Sequence, residues 1–160
     1  MLLMNLSRKK KREILLQILF SIDQFHHEIM NDDRPIVLII DLLRLSRSNI
    51  PKIHKDVQQI TPRLEKIDEI LQQSSLDYSL DRISIVNRNI LRIAICELLY
   101  EGLDPKIVIH ESIRLTKKFS SIESSSFIHA IIDSVISIIK NKETSKIMYT
   151  KFNDHQTLFY

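Results

Sequence analysis

Few side chains in this 160-residue chain are of the kinds that make or break bonds, and their spacing argues against catalysis. Cys96 is the only cysteine, so neither an internal disulfide nor a cysteine-based metal cage can form. It falls in the most apolar stretch of the chain, where a thiol reads as a small core residue rather than an activated nucleophile. His26 and His27 are adjacent and would point about 100° apart on a helix, too divergent to chelate together. His110 with Glu111, and His129 with Asp133 at i, i+4 spacing, are the remaining pairs, and neither supplies the clustered ligands a metal needs. A phosphate-cradling loop requires several glycines and the chain has one, Gly102. No catalytic, cofactor or metal site is expected, and the chain does not read as an enzyme.

The chemistry that remains is electrostatic. Arg8, Lys9, Lys10, Lys11 and Arg12 run together ahead of Glu13, five cations and one carboxylate with a net charge of +4. The whole chain carries +3, so everything outside this block sums to −1. A local cationic run is an electrostatic footprint for phosphate backbones. It reads equally as a solvated arm that aids solubility. With Ser7 as N-cap the run forms the first turns of a helix. Arg8 then lies about a turn from Lys11 and Arg12, as does Lys9 from Arg12, so several could face one ligand. Cations at the positive end of a helix dipole cost roughly a few tenths of a kcal/mol, which a bound anion would relieve.

The elements that must position these residues read as helices. One glycine and four prolines in 160 residues are too few for the tight turns of a β or α/β fold. Ile14, Leu15, Ile18, Leu19, Ile22, Phe25 and Ile29 form one buried stripe at helical spacing after the basic block. Ile36 to Leu45 predicts a second helix, and Ser46 to Pro51 a loop. Lys52 to Gln73 predicts a third helical region that Pro62 kinks or restarts. Ile83 to Tyr100 is apolar around most of its circumference, so it should lie at the centre of the core, with Gly102 supplying a left-handed cap. Pro105 opens a segment running to Phe119, and Ser120 to Glu123 offers a capping box for a last helix. That helix would bury Phe127, Ile128, Ile131, Ile132, Val135, Ile138 and Ile139. Residues 1–140 read as one all-α domain, and 141–160, polar with scattered aromatics, as a tail whose order the sequence leaves open. The longest apolar run, Ile36 to Ile40, is far shorter than the ~20 residues of a membrane span, and no secretion signal is visible. A cytoplasmic, membrane-free protein is expected.

Several stretches, in order and spacing, resemble the NusB family. Leu91-Arg92-Ile93-Ala94-Ile95-Cys96-Glu97-Leu98 is similar to the family's LRxAxxEL. Pro105 to Ser112 resembles PxxVAINEA, Leu115 to Phe119 resembles LAKxF, and Phe127 to Asp133 resembles FVNGVLD. Arg12-Glu13, Gln17 and Leu19-Phe20 fall where the family has R-E, Q and L-Y, so the resemblance spans about residues 8–140, weakest between 30 and 75. The chain departs from the pattern at His110 and His129 (Asn in the family), Ala130 (Gly), Phe20 (Tyr) and Asn87 (often acidic).

The resemblance implies six or seven helices in two small bundles. It also implies a transcription antitermination factor that binds boxA-type single-stranded RNA of ribosomal RNA leaders together with the ribosomal small-subunit protein NusE, engaging other Nus factors and RNA polymerase. By position it assigns Arg8, Lys9, Lys10, Lys11 and Arg12 to RNA, with Glu123 and Phe127 near the same surface. Phe20, Asn87 and Arg88 fall to the ribosomal partner. Two other readings stay open. One is a helical interaction protein whose basic arm only solubilises it. The other is a stand-alone relative of the NusB-like domain of RNA cytosine methyltransferases, whose catalytic domain has no room here.

Overall fold

In a computed structural model the described residues are 6–25, 33–75 and 77–156, with side chains described to residue 143 apart from that of Phe25. They form seven α-helices and no strand: α1 Arg8–Phe25, α2 Arg34–Leu42, α3 Ile50–Ile60, α4 Leu64–Ser74, α5 Ile85–Tyr100, α6 Pro105–Phe119 and α7 Ser124–Gln156. His26, His27 and Ile29 lie outside the described residues.

Two hydrophobic cores share α1. Its Ile14 and Ile18 pack with Ile36, Ile39 and Ile40 of α2 and Ile53 and Val57 of α3. Its Leu16 and Leu19 join a larger core built from α4, α5, α6 and α7, including Ile67, Leu71, Ile90, Leu91, Val108, Leu115, Ile128 and Val135. The single stripe expected of this helix is therefore two faces, with Leu15 and Ile22 touching both cores. Each bundle alone would leave a side of α1 exposed; together they bury it nearly all round. This is the two-bundle, all-α arrangement.

Local chemistry sets the helix ends. The Lys10 amide donates to Ser7 Oγ at 3.2 Å, so Ser7 caps α1. α2 stops at Leu42, short of the expected Leu45. Arg44 takes a left-handed φ of 52°, and the Leu45 amide donates back to Ile40 O at 2.9 Å, a Schellman ending without its usual glycine. The region read as Lys52 to Gln73 is α3 and α4, restarted through a 3-10 turn at Thr61–Arg63 that contains Pro62. Gly102, at φ +61°, terminates α5 as expected, and Asp104 accepts from the Lys106 amide at 2.8 Å to start α6 at Pro105. The cap of α7 is shifted by one residue from Ser120. Ser121 Oγ accepts from the Ser124 amide at 3.2 Å and bonds the Ser124 hydroxyl at 2.9 Å, leaving Glu123 exposed. α7 continues through residue 156, so helix extends into the segment read as a tail. No described helix is long and apolar enough to cross a membrane.

Candidate nucleic-acid interface

The start of α1 lies in the seam between α3 and α5 on one side and α6 on the other, and its cations divide accordingly. Arg8 approaches Glu101 at 3.9 Å and Lys11 approaches Asp56 at 3.8 Å, both on the α3–α5 side. Lys10 lies 3.9 Å from Glu13 on the α6 side. Lys9 is exposed, with its carbonyl accepting from Arg114 Nη2 at 3.4 Å. Arg8 is the most open of the four ion-paired cations of the run, its side chain 66% exposed.

Arg12 is placed differently from its sequence assignment. Its side chain is 7% exposed, with Nε donating to Glu97 Oε1 at 2.5 Å and Nη1 lying 3.4 Å from Glu111 Oε2. Position 12 falls on the inner face of α1 beside buried Glu13 and Ile14, so its guanidinium meets α5 and α6 rather than solvent. The network continues outward. Arg114 donates to Glu13 Oε1 at 2.7 Å and to Glu111 Oε2 at 2.9 Å, and Lys118 donates to Glu13 Oε2 at 2.9 Å. Burial pushes up the pKa of the Glu13 and Glu111 carboxyls, but Lys118 and Arg114 beside Glu13, and Arg114 and Arg12 beside Glu111, hold both below the ordinary value. Glu97 is raised, because burial outweighs its bond from Arg12. Sequence reasoning missed this network. The signal was a carboxylate, Glu97, inside a helix apolar on most sides, which demands a buried cation.

Arg114 and Lys118, bonded to Glu13, bring further positive charge to the α6 side of the basic run. Glu123 is exposed just before α7, while Phe127 is half-buried, its ring edge-on to Tyr78 at 5.9 Å. Among the described residues neither makes a hydrogen bond, ion pair or ring contact with the basic run.

The residues assigned to a protein partner also separate. Phe20, 37% exposed, lines an apolar hollow of about 370 Å³ with Leu38, Val86 and Phe119. Asn87, next to Val86, is buried, and its Oδ1 has no hydrogen-bond partner. Arg88 is held by Asp23 at 3.4 Å and by Leu80 O at 3.4 Å, with its buried Nε unpartnered. Phe20 therefore presents surface, whereas Asn87 is buried and Arg88 is partly covered, its side chain 18% exposed. Leu38, 60% exposed on α2, is the contributor the sequence did not flag. Among the described residues no cluster of three potential metal ligands occurs. Cys96 is buried, and burial pushes its thiol to about 11, as fits a packing residue.

The NusB family profile matches residues 9–137, most of the chain. The chain belongs to the NusB family. The transcription antitermination protein NusB of Desulfosudis oleivorans is 35% identical over 130 residues, 81% of this chain and 84% of that protein. The Streptomyces coelicolor NusB is 34% identical over 133 residues, 79% of this chain and 89% of its own length. The structure of T. maritima NusB superposes with a TM-score of 0.71 at 25% identity, covering 82% of this chain and 92% of that one. A structure of the antitermination factors NusB and NusE in complex with double-stranded RNA has the same fold, with a TM-score of 0.70 at 21% identity, covering 82% and 96% of the two chains. Membership places this chain among the transcription antitermination factors rather than the enzymes.

Proposed function

We propose that this NusB-family protein binds boxA-type single-stranded RNA of ribosomal RNA leaders jointly with a NusE-like ribosomal small-subunit protein. In that role it supports ribosomal RNA transcription in the cytoplasm with other Nus factors and RNA polymerase. The observation that carries the reading is the start of α1, where Arg8 and Lys9 are exposed and Lys10 is partly so, with Arg114 and Lys118 of α6 bonded to Glu13 on the same helix. Phosphate contacts from such a strip hold a strand in place without reading its sequence. The hollow at Phe20, Leu38 and Phe119 offers the apolar patch a protein partner needs. The residues assigned to RNA are then Arg8, Lys9, Lys10 and Lys11, with Glu123 and Phe127 further along the surface. Arg12 supports them from beneath.

One observation favours the plainer reading of an interaction protein. Lys10, Lys11 and Arg12 each face a carboxylate of their own fold, so part of the run holds helices together. Binding of a boxA-like RNA and a scrambled one, across a salt series, separates the two. Replacing Arg8, Lys9 and Lys10 by Ala should weaken binding and flatten the log–log salt slope by roughly 0.7 for each lost phosphate contact. An unchanged affinity and slope in that variant would leave the plainer reading.

A further inference from the structure

The α3–α5 side of the basic run opens onto a hollow behind Arg8 and Lys11. Arg8 and Lys11, one turn apart on α1, face Asp56 of α3 and Glu101 just past α5 across a space of about 160 Å³. Its walls include Ile60, Ile93 and the buried Cys96. A cavity of about 150 Å³ is known to take a single benzene-sized ring. The rim is polar and alternates in sign. Its two ion pairs, Arg8–Glu101 at 3.9 Å and Lys11–Asp56 at 3.8 Å, are longer than hydrogen bonds, so donors and acceptors are not used up between the partners. Burial raises the Asp56 carboxyl even with Lys11 nearby, as for a carboxylate short of donors. A phosphate fits this rim badly, because Asp56 and Glu101 would repel it with Glu97 behind. A flat ring whose edge carries both donors and acceptors fits it well.

We infer that this hollow receives one pyrimidine base of the RNA bound along α1, and cytosine in preference to uracil. The inference rests on the RNA-binding reading. Cytosine's exocyclic amine donates to a rim carboxylate, while its ring nitrogen and carbonyl oxygen accept from the neighbouring guanidinium or ammonium. Uracil offers a carbonyl oxygen where cytosine offers the amine, and that oxygen would face a carboxylate. A purine's second ring would have to extend beyond this volume into solvent. Base-edge contacts of this kind supply discrimination that a row of phosphate contacts lacks.

The test uses the full chain and four nine-nucleotide probes: oligo(C), oligo(U), oligo(A) and an abasic sugar-phosphate chain. Oligo(C) should bind at least about fivefold more tightly than oligo(U) or oligo(A), with similar salt slopes for all four. Asp56→Asn, on the half-exposed side of α3, should bring oligo(C) to within twofold of oligo(U) while leaving the abasic chain bound as well as before or better. Cys96→Met, which adds bulk to the wall, should have the same effect, and its thermal melt shows whether it folds. Equal binding of the three bases by the unaltered protein, or a cytosine preference that survives Asp56→Asn, would overturn the pocket and leave phosphate binding standing. Absence of salt-dependent binding to every probe would overturn the RNA reading and the pocket with it.

Discussion

Replacing Arg12 by Ala should cost stability rather than phosphate contacts. The guanidinium lies between Glu97 at 2.5 Å and Glu111 at 3.4 Å, with side chains 10% and 6% exposed. Breaking a buried pair by deleting one partner typically costs about 3–5 kcal/mol, because the other charge is left uncompensated. Glu111 keeps Arg114 at 2.9 Å, so the penalty falls on Glu97 and should lie near the lower end, about 3 kcal/mol. For a chain of this size that is a fall in Tm of roughly 6–12 °C. Burial already raises the Glu97 carboxyl, and losing Arg12 raises it further. A group whose pKa is raised on folding stabilises fully below its unfolded value and loses that contribution as pH rises through the folded value. The deficit of Arg12→Ala should therefore be larger at pH 8 than at pH 5. Adding Glu97→Gln should recover part of it, since the stranded charge is gone. Exposed Lys9→Ala should stay within about 0.5 kcal/mol of the parent. Thermal melts followed by helical circular dichroism measure all of these. An Arg12→Ala protein that melts with the parent but binds RNA with a flatter salt slope would refute the buried-anchor assignment.

Arg44→Gly should raise stability by up to about 1 kcal/mol, because glycine takes the left-handed φ of 52° without the side-chain penalty; a lower denaturant midpoint would contradict this. Glu13 and Glu111, lowered on folding, stabilise the protein above the ordinary carboxyl value of 4.5 and lose that contribution as pH falls through their folded values. The acid limb of a stability–pH curve should accordingly flatten in Glu13→Gln, and an unaltered limb would count against the network. Cys96→Ala should lose about 1 kcal/mol and keep its RNA affinity for the abasic chain, and the native thiol should resist alkylation at pH 8 until the protein unfolds.

Much of the fold was legible because helical periodicity and punctuation agree. Ser7, Pro62, Gly102 and Pro105 mark boundaries where the chain turns or restarts, and the apolar pattern of Ile83 to Tyr100 places α5 in the core. Two features were not legible. That α1 buries two faces depends on which helices return to it, information that no local window holds. The fate of the basic run was hidden for the same reason. Five consecutive cations look alike in sequence, but a period of 3.6 sends Arg12 inward, Arg8 and Lys11 toward α3 and α5, and Lys10 toward α6. Asn87 and Arg88 illustrate the converse. Position matched them to a partner surface, yet Asn87 is buried and Arg88 is held by Asp23 and Leu80 O.

Joint binding of RNA and a NusE-like protein is the central claim, and a closed thermodynamic cycle tests it most directly. The affinity for boxA-like RNA is measured with and without saturating ribosomal protein, and the affinity for the ribosomal protein with and without RNA. Because coupling is reciprocal, each ligand should tighten the other by the same factor, about fivefold or more. Leu38→Asp, at the rim of the Phe20 hollow, should abolish protein binding and the enhancement while leaving RNA affinity in the absence of the partner within about twofold. Independent binding, with neither ligand altering the affinity for the other, would contradict the claim.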